Sequence, residues 1–280
     1  MSGHESRVAE AIRSAKAAGR GALVAYLPVG FPDLDTSVDA AIALAQNGAD
    51  VLELGLPYSD PVMDGLVIQE ATQTALAGGF RISNVFEAVR RVSAVVDTPI
   101  LVMTYWNPVM QYGVERFAQD LRAAGGAGLI TPDITPDSAA EWIAVSERLG
   151  LDRIFLAAPS SSDARLDLVV QNTTGFIYTV STMGITGERA SLDSAARALT
   201  ERLRARGAEL ACVGIGISNA EQVATTLEYA DGAIVGTAFV RALRDGGVEG
   251  LTETVRAIVG GARAEADATT VAADTERPAR

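Results

Sequence analysis

Eight short runs rich in β-branched and apolar residues alternate with amphipathic stretches at helical spacing, and no other feature narrows the fold as much. The runs are "ALVAYLP" from residue 22, "DVLELG" from 50, "PILVMTY" from 99, "AGLITP" from 127, "RIFLAAP" from 153, "GFIYTVS" from 175, "ELACVGIG" from 209 and "GAIVGT" from 232. Their apolar content is nearly continuous, as in strands covered on both faces. Eight parallel strands separated by helices close a barrel, so the sequence predicts an α/β fold, a (β/α)8 TIM barrel with an extra N-terminal helix. A doubly wound open sheet also alternates strand and helix. It calls for a glycine-rich fingerprint after the first strand, and "YLPVGFPD" offers none.

The intervening helices have legible ends. Asp35 is placed to cap the first of them and Asn47-Gly48 to stop it, while Asp137 stands near the start of "TPDSAAEWIAVSERLG" and Gly150 at its end. No composition shift marks an internal boundary, and residues 1–262 suit a single barrel of about 250 residues. Residues 263–280 have no aromatic and little apolar content beyond alanine and valine, and read as a disordered tail.

Two scarcities restrict the chemistry. The only histidine is His4 and the only lysine Lys16, both ahead of the first strand, which argues against Ser-His pairs, histidine metal sites and Schiff-base catalysis. No metal site is expected. Cys212, the lone cysteine, reads as a buried strand residue. A net charge of −12 argues against nucleic acid or an anionic membrane as partner. The charged first residues lack the apolar core of a secretion signal, and no uncharged run reaches the length of a membrane span, so a cytoplasmic location is expected. Carboxylates, hydroxyls, arginines and backbone remain for chemistry.

The stretch "VLELGLPYSDPVMDG", residues 51–65, places Glu53 inside an apolar run. Strand alternation puts its side chain on the side of Val51 and Gly55. If that side is the barrel interior, poor solvation raises the pKa of the carboxyl and suits it to acid–base work near neutral pH. A buried Glu paired with Arg is the structural alternative, but no strand-borne Arg is evident nearby. Asp60 and Asp64 follow in the loop. Asp64-Gly65 directly precedes a helical run, so on the residues alone capping of that helix is a readier explanation of Asp64 than chemistry is. Late in the chain, "MGITGER", "GIGIS" and Gly236-Thr237 put glycines at three consecutive strand ends, where free backbone N–H groups commonly bind phosphate in barrels.

These residues resemble the tryptophan synthase alpha subunit family. "LELGLPYSDPVMDG" is similar to its signature, and "YLPVGFPD", "MTYWNPV", "GLITPD", "YTVSTMGITG", "GIGIS" and "GAIVGT" follow in the family's order, over roughly residues 20 to 250. The resemblance implies a TIM barrel that cleaves indole-3-glycerol phosphate to indole and glyceraldehyde 3-phosphate. It implies Glu53 as the acid–base group and Asp64 as a second catalytic carboxylate stabilising the indole N–H, which reverses the capping preference for Asp64. It further implies Gly187, Gly216, Gly236 and Thr237 as a phosphate cradle, Thr237 standing where many members have serine. Tyr26 and Tyr178 match indole-pocket positions, Tyr26 in place of the commoner phenylalanine, and Thr186 matches a mobile closing loop. The implied partner is a beta subunit in an alpha2beta2 heterotetramer, faced by Asp60, Pro61 and Asn107. Pyridoxal phosphate is implied in that partner, with no cofactor in this chain. Two other readings stand beside this one: another phosphate-binding barrel enzyme of tryptophan biosynthesis, and a non-catalytic subunit that only activates its partner.

Overall fold

The computed structural model describes residues 5–180, 189–214 and 216–275. Eight parallel strands form one closed barrel in sequence order: β1 (Ala22–Pro28), β2 (Val51–Gly55), β3 (Ile100–Met103), β4 (Gly128–Thr131), β5 (Asp152–Ala157), β6 (Ile177–Thr179), β7 (Ala211–Gly214) and β8 (Gly232–Val235). Closure is direct, with Val24 of β1 in register with Val51 of β2 on one side and Ile234 of β8 on the other. This is the (β/α)8 barrel that the alternating sequence predicts.

The helices are α1 (Arg7–Ala17), α2 (Leu34–Gln46), α3 (Leu66–Ala77), α4 (Ile82–Ser93), α5 (Trp106–Tyr112), α6 (Val114–Ala123) and α7 (Ala140–Leu149). They continue with α8 (Asp163–Asn172), α9 (Arg189–Arg204), α10 (Ala220–Leu227) and α11 (Thr237–Thr275), the last broken at Gly247 by φ 62° and ψ −158°. Two capping expectations are corrected. Asp33, not Asp35, caps α2: its extended backbone lets the carboxylate take the Thr36 N–H at 2.8 Å, while Asp35 lies inside the first turn and pairs with Arg91. Asp137 lies in a 3-10 turn, Pro136–Ser138, ahead of α7, which ends as expected on left-handed Gly150 (φ 63°). Residues 263–275, read from sequence as a tail, continue α11 as helix, and alanine-rich polar sequence has the propensity for it.

Strand alternation sorts the core into two layers. Leu52, Leu54, Ile100, Val102 and Leu129 face outward and pack under the helices. Val24, Val51, Leu101, Ile130, Ile154, Cys212 and Ile234, with Phe176 leading into β6, fill the interior. The N-terminal helix α1 closes the lower end of this interior, because Val8, Ala9, Ile12 and Ala15 recur at helical spacing and pack against the same residues. Polar contacts at the strands' N-terminal ends seat it: Ser6 Oγ donates to Asp152 at 2.7 Å, and Lys16 Nζ to buried Asp231 at 2.8 Å. Helix α1 thus covers the N-terminal end of the strands, opposite the mouth at their C-terminal ends.

Candidate active site

Glu53 is the third residue of β2, in register with Tyr26 on β1 and Leu101 on β3. Because Val51 fills the interior layer and Leu52 and Leu54 the outer one, Glu53 points into the barrel at the level of the mouth. It is 1% exposed, and its Oε2 is buried with no hydrogen-bond partner. Burial, and secondarily the charge of Asp64, pushes its pKa from the ordinary 4.5 up to about 8. No ion pair forms at Glu53 among the described residues, so the buried Glu–Arg alternative has no support. The carboxyl is therefore mostly protonated at neutral pH.

Asp64 comes to the mouth from the loop after β2. The expectation that it caps the following helix is overturned: Gly65 is the N-cap of α3 and provides no side-chain cap, and the main-chain oxygen of Asp64 instead takes the Gln69 side-chain N–H at 2.7 Å. Its carboxylate is thus available for the mouth. Burial raises its pKa, and the Tyr105 hydroxyl pulls it back down. Tyr26 and Tyr178 complete the surround. Both hydroxyls are held well above their usual range, first by burial and then by the charges of the two carboxylates.

Glycines at strand ends make room for these rings. A Cβ on Gly55 would lie 2.4 Å from the Tyr26 hydroxyl, and one on Gly214 would lie 2.5 Å from the Tyr178 hydroxyl. Any side chain there forces the ring aside. Farther round the mouth, Gly236 precedes the first turn of α11, where Thr237 leaves unpaired backbone N–H groups. Gly216, at φ 59°, makes the turn from β7 toward α10. Thr186 and Gly187 lie outside the described residues. Asp60 and Asn107 are exposed and Pro61 partly so, on the rim formed by the loop after β2 and by α5.

Two residues of this region, Tyr105 and Asp133, went unnoticed in the sequence. Tyr105 is buried, its ring 5.5 Å from that of Tyr58, and its hydroxyl accepts the Met63 N–H at 3.0 Å. Asp133, after β4, accepts the Trp106 N–H at 2.8 Å. An aromatic after "ILVM" reads as core, and the signal available was its position at a strand's C-terminal end. Volume is a poor guide here, since a cavity of about 1030 Å³ lies at the opposite end of the barrel between α1 and the β6–β7 edge, lined by Ser6, Arg13 and Glu209.

A mostly neutral carboxyl and a second carboxylate of separate environment, at the mouth of a (β/α)8 barrel, are an arrangement suited to acid–base chemistry, and the fold is that of the barrel enzymes. The tryptophan synthase alpha chain family matches residues 12–269. The tryptophan synthase alpha chain of Leifsonia xyli subsp. xyli is 66% identical over 243 residues, 87% of this chain and 93% of that protein. A chain of Mycobacterium tuberculosis tryptophan synthase superposes with a TM-score of 0.87 at 47% identity, covering 92% of this chain and 98% of that one. For a chain of the Pyrococcus furiosus tryptophan synthase complex the values are 0.78 and 33%, over 86% and 98%. This chain belongs to the tryptophan synthase alpha chain family.

Proposed function

We propose that this chain is the lyase subunit of tryptophan biosynthesis that splits indole-3-glycerol phosphate into indole and glyceraldehyde 3-phosphate. The observation that carries the mechanism is Glu53, buried, unpaired and holding its proton up to about pH 8. The neutral acid delivers that proton to C3 of the indole ring. As positive charge develops on the ring nitrogen, the Asp64 carboxylate accepts its N–H and stabilises it. Glu53, now a carboxylate, takes the proton of the glycerol hydroxyl beside the ring; that oxygen becomes the aldehyde carbonyl, the carbon–carbon bond breaks, and its electrons restore the aromatic indole. Glu53 ends protonated, ready for another cycle. Tyr26 and Tyr178 flank the ring.

Backbone N–H groups at Gly216, Gly236 and Thr237 would hold the phosphate, a role shared with Gly187 outside the described residues, and helix α11 begins where its dipole favours an anion. Thr186 would belong to the closing loop.

A beta subunit is the proposed partner, in an alpha2beta2 assembly, with Asp60, Pro61 and Asn107 on the docking face. Support comes from the solved tryptophan synthase complex that this chain resembles and from exposed apolar side chains around those residues: Val62 at 81%, Leu66 at 72% and Met110 at 52%. Pyridoxal phosphate would sit in that partner, since Lys16 is committed to Asp231 at the far end of the barrel. Indole release by the purified chain tests the reading. Indole-3-glycerol phosphate should be cleaved and phosphoribosyl anthranilate left unchanged, and Glu53→Gln should lower turnover about 10²–10⁴-fold. Full activity in that variant would overturn the assignment.

A further inference from the structure

We infer that Tyr105 is the positioning residue that holds Asp64 in the mouth, its hydroxyl fastening the loop after β2 to the turn after β3; this rests on the acid–base reading above. Asp64 needs such a holder, since it stands on a loop and its own carboxylate caps nothing. Tyr105 is only 6% exposed, and its ring is packed 5.5 Å from Tyr58. Its oxygen accepts the N–H of Met63, the residue before Asp64, at 3.0 Å. A phenol has a single proton. With a lone pair occupied by Met63 that proton is left for another acceptor, and the Asp64 carboxyl, whose pKa the phenol lowers, is the acceptor assigned to it.

Tyr105 is in turn pinned from behind. It is the N-cap residue of α5, and the next residue, Trp106, gives its N–H to both oxygens of Asp133 at 2.8 and 3.1 Å. Asn107 then donates to the Tyr58 hydroxyl at 3.1 Å, from the α5 turn to the loop after β2. Three successive residues thus tie together the loops after β2, β3 and β4. One Asp64 oxygen engaged by the phenol leaves the other for the ring N–H of the substrate. The charge of Asp64 bears on Glu53, Tyr26, Tyr178 and Tyr105, and that of Asp133 on Tyr105.

The test is indole release against pH for wild type, Tyr105→Phe, Asp64→Asn and the double variant, each checked for an unchanged thermal transition. Phenylalanine keeps the ring and removes the donor. Turnover in Tyr105→Phe should fall about 10–100-fold with little change in KM. The acidic limb of kcat/KM should move to higher pH, because the ionised Asp64 loses a donor. In the Asp64→Asn background the same change should add no further loss. Replacement of Tyr105 by 3-fluorotyrosine, a stronger donor of nearly the same shape, should move that limb to lower pH. Inactive Asp64→Asn with Tyr105→Phe at wild-type rate and unmoved limb would overturn this inference alone. Fully active Asp64→Asn would overturn the acid–base reading and this inference with it.

Discussion

Replacing Glu53 by Gln should inactivate the enzyme and stabilise it, and the stabilisation should depend on pH in a way no packing change imitates. In the folded chain the carboxyl titrates near 8, against 4.5 when free. A folded pKa raised above the unfolded one means that stability present below about pH 4.5 is lost as pH rises through 8. The difference between the two values corresponds to about 5 kcal/mol, accumulating at about 1.4 kcal/mol per pH unit. Glutamine has nearly the same shape and no charge to desolvate. The variant should match the wild type within about 1 kcal/mol at pH 4.5, gain steadily above it, and plateau beyond pH 8 at about 3–5 kcal/mol. Urea unfolding at half-unit steps from pH 4.5 to 9.5 measures the difference directly. A difference that stays flat across that range would refute the claim that Glu53 is kept neutral by burial.

Other outcomes follow from the same geometry. Asp64→Asn should cut indole release about 10²–10³-fold, since a neutral amide offers no negative charge to the developing cation, with its urea midpoint little changed. Ile12→Ala, at the 0% exposed centre of the α1 plug, should cost about 2–5 kcal/mol of stability while leaving KM for the substrate near wild type. Gly214→Ala should displace the Tyr178 ring and lower kcat/KM about tenfold or more, and a Gly214→Ala/Tyr178→Phe double variant, which removes the clashing hydroxyl, should recover part of it. Met110→Glu, in the exposed apolar rim, should weaken binding of the beta subunit at least tenfold by titration calorimetry without changing the isolated chain's turnover.

The barrel was legible because its signal is local and repeated. "ALVAYLP" coincides with β1 to the residue, and each of the other runs contains its strand except the fifth, which starts one residue after Asp152 opens β5. Glu53 was legible for a related reason: a carboxyl in an otherwise apolar strand stands out, and alternation alone assigns its side. Asp64 was not, because an Asp-Gly pair before a helix is written the same way whether the carboxylate caps the helix or turns from it. In the inference drawn above that choice falls to Tyr105, forty-one residues later at the start of α5. The glycine–tyrosine pairs were hidden similarly: Gly55 makes room for Tyr26 on the neighbouring strand, and Gly214 for Tyr178, so neither glycine has a local explanation. The run after residue 262 is ambiguous for the opposite reason, and residues 263–275 continue α11. Its alanine-rich polar composition serves an irregular tail and a helix equally well.

The most direct test of the account is a ¹³C NMR titration of the Glu53 side-chain carboxyl, assigned by difference against Glu53→Gln in otherwise identical labelled protein. The account predicts a midpoint near pH 8. A midpoint at or below 4.5 would contradict it, because a carboxyl already ionised at neutral pH has no proton to give the ring.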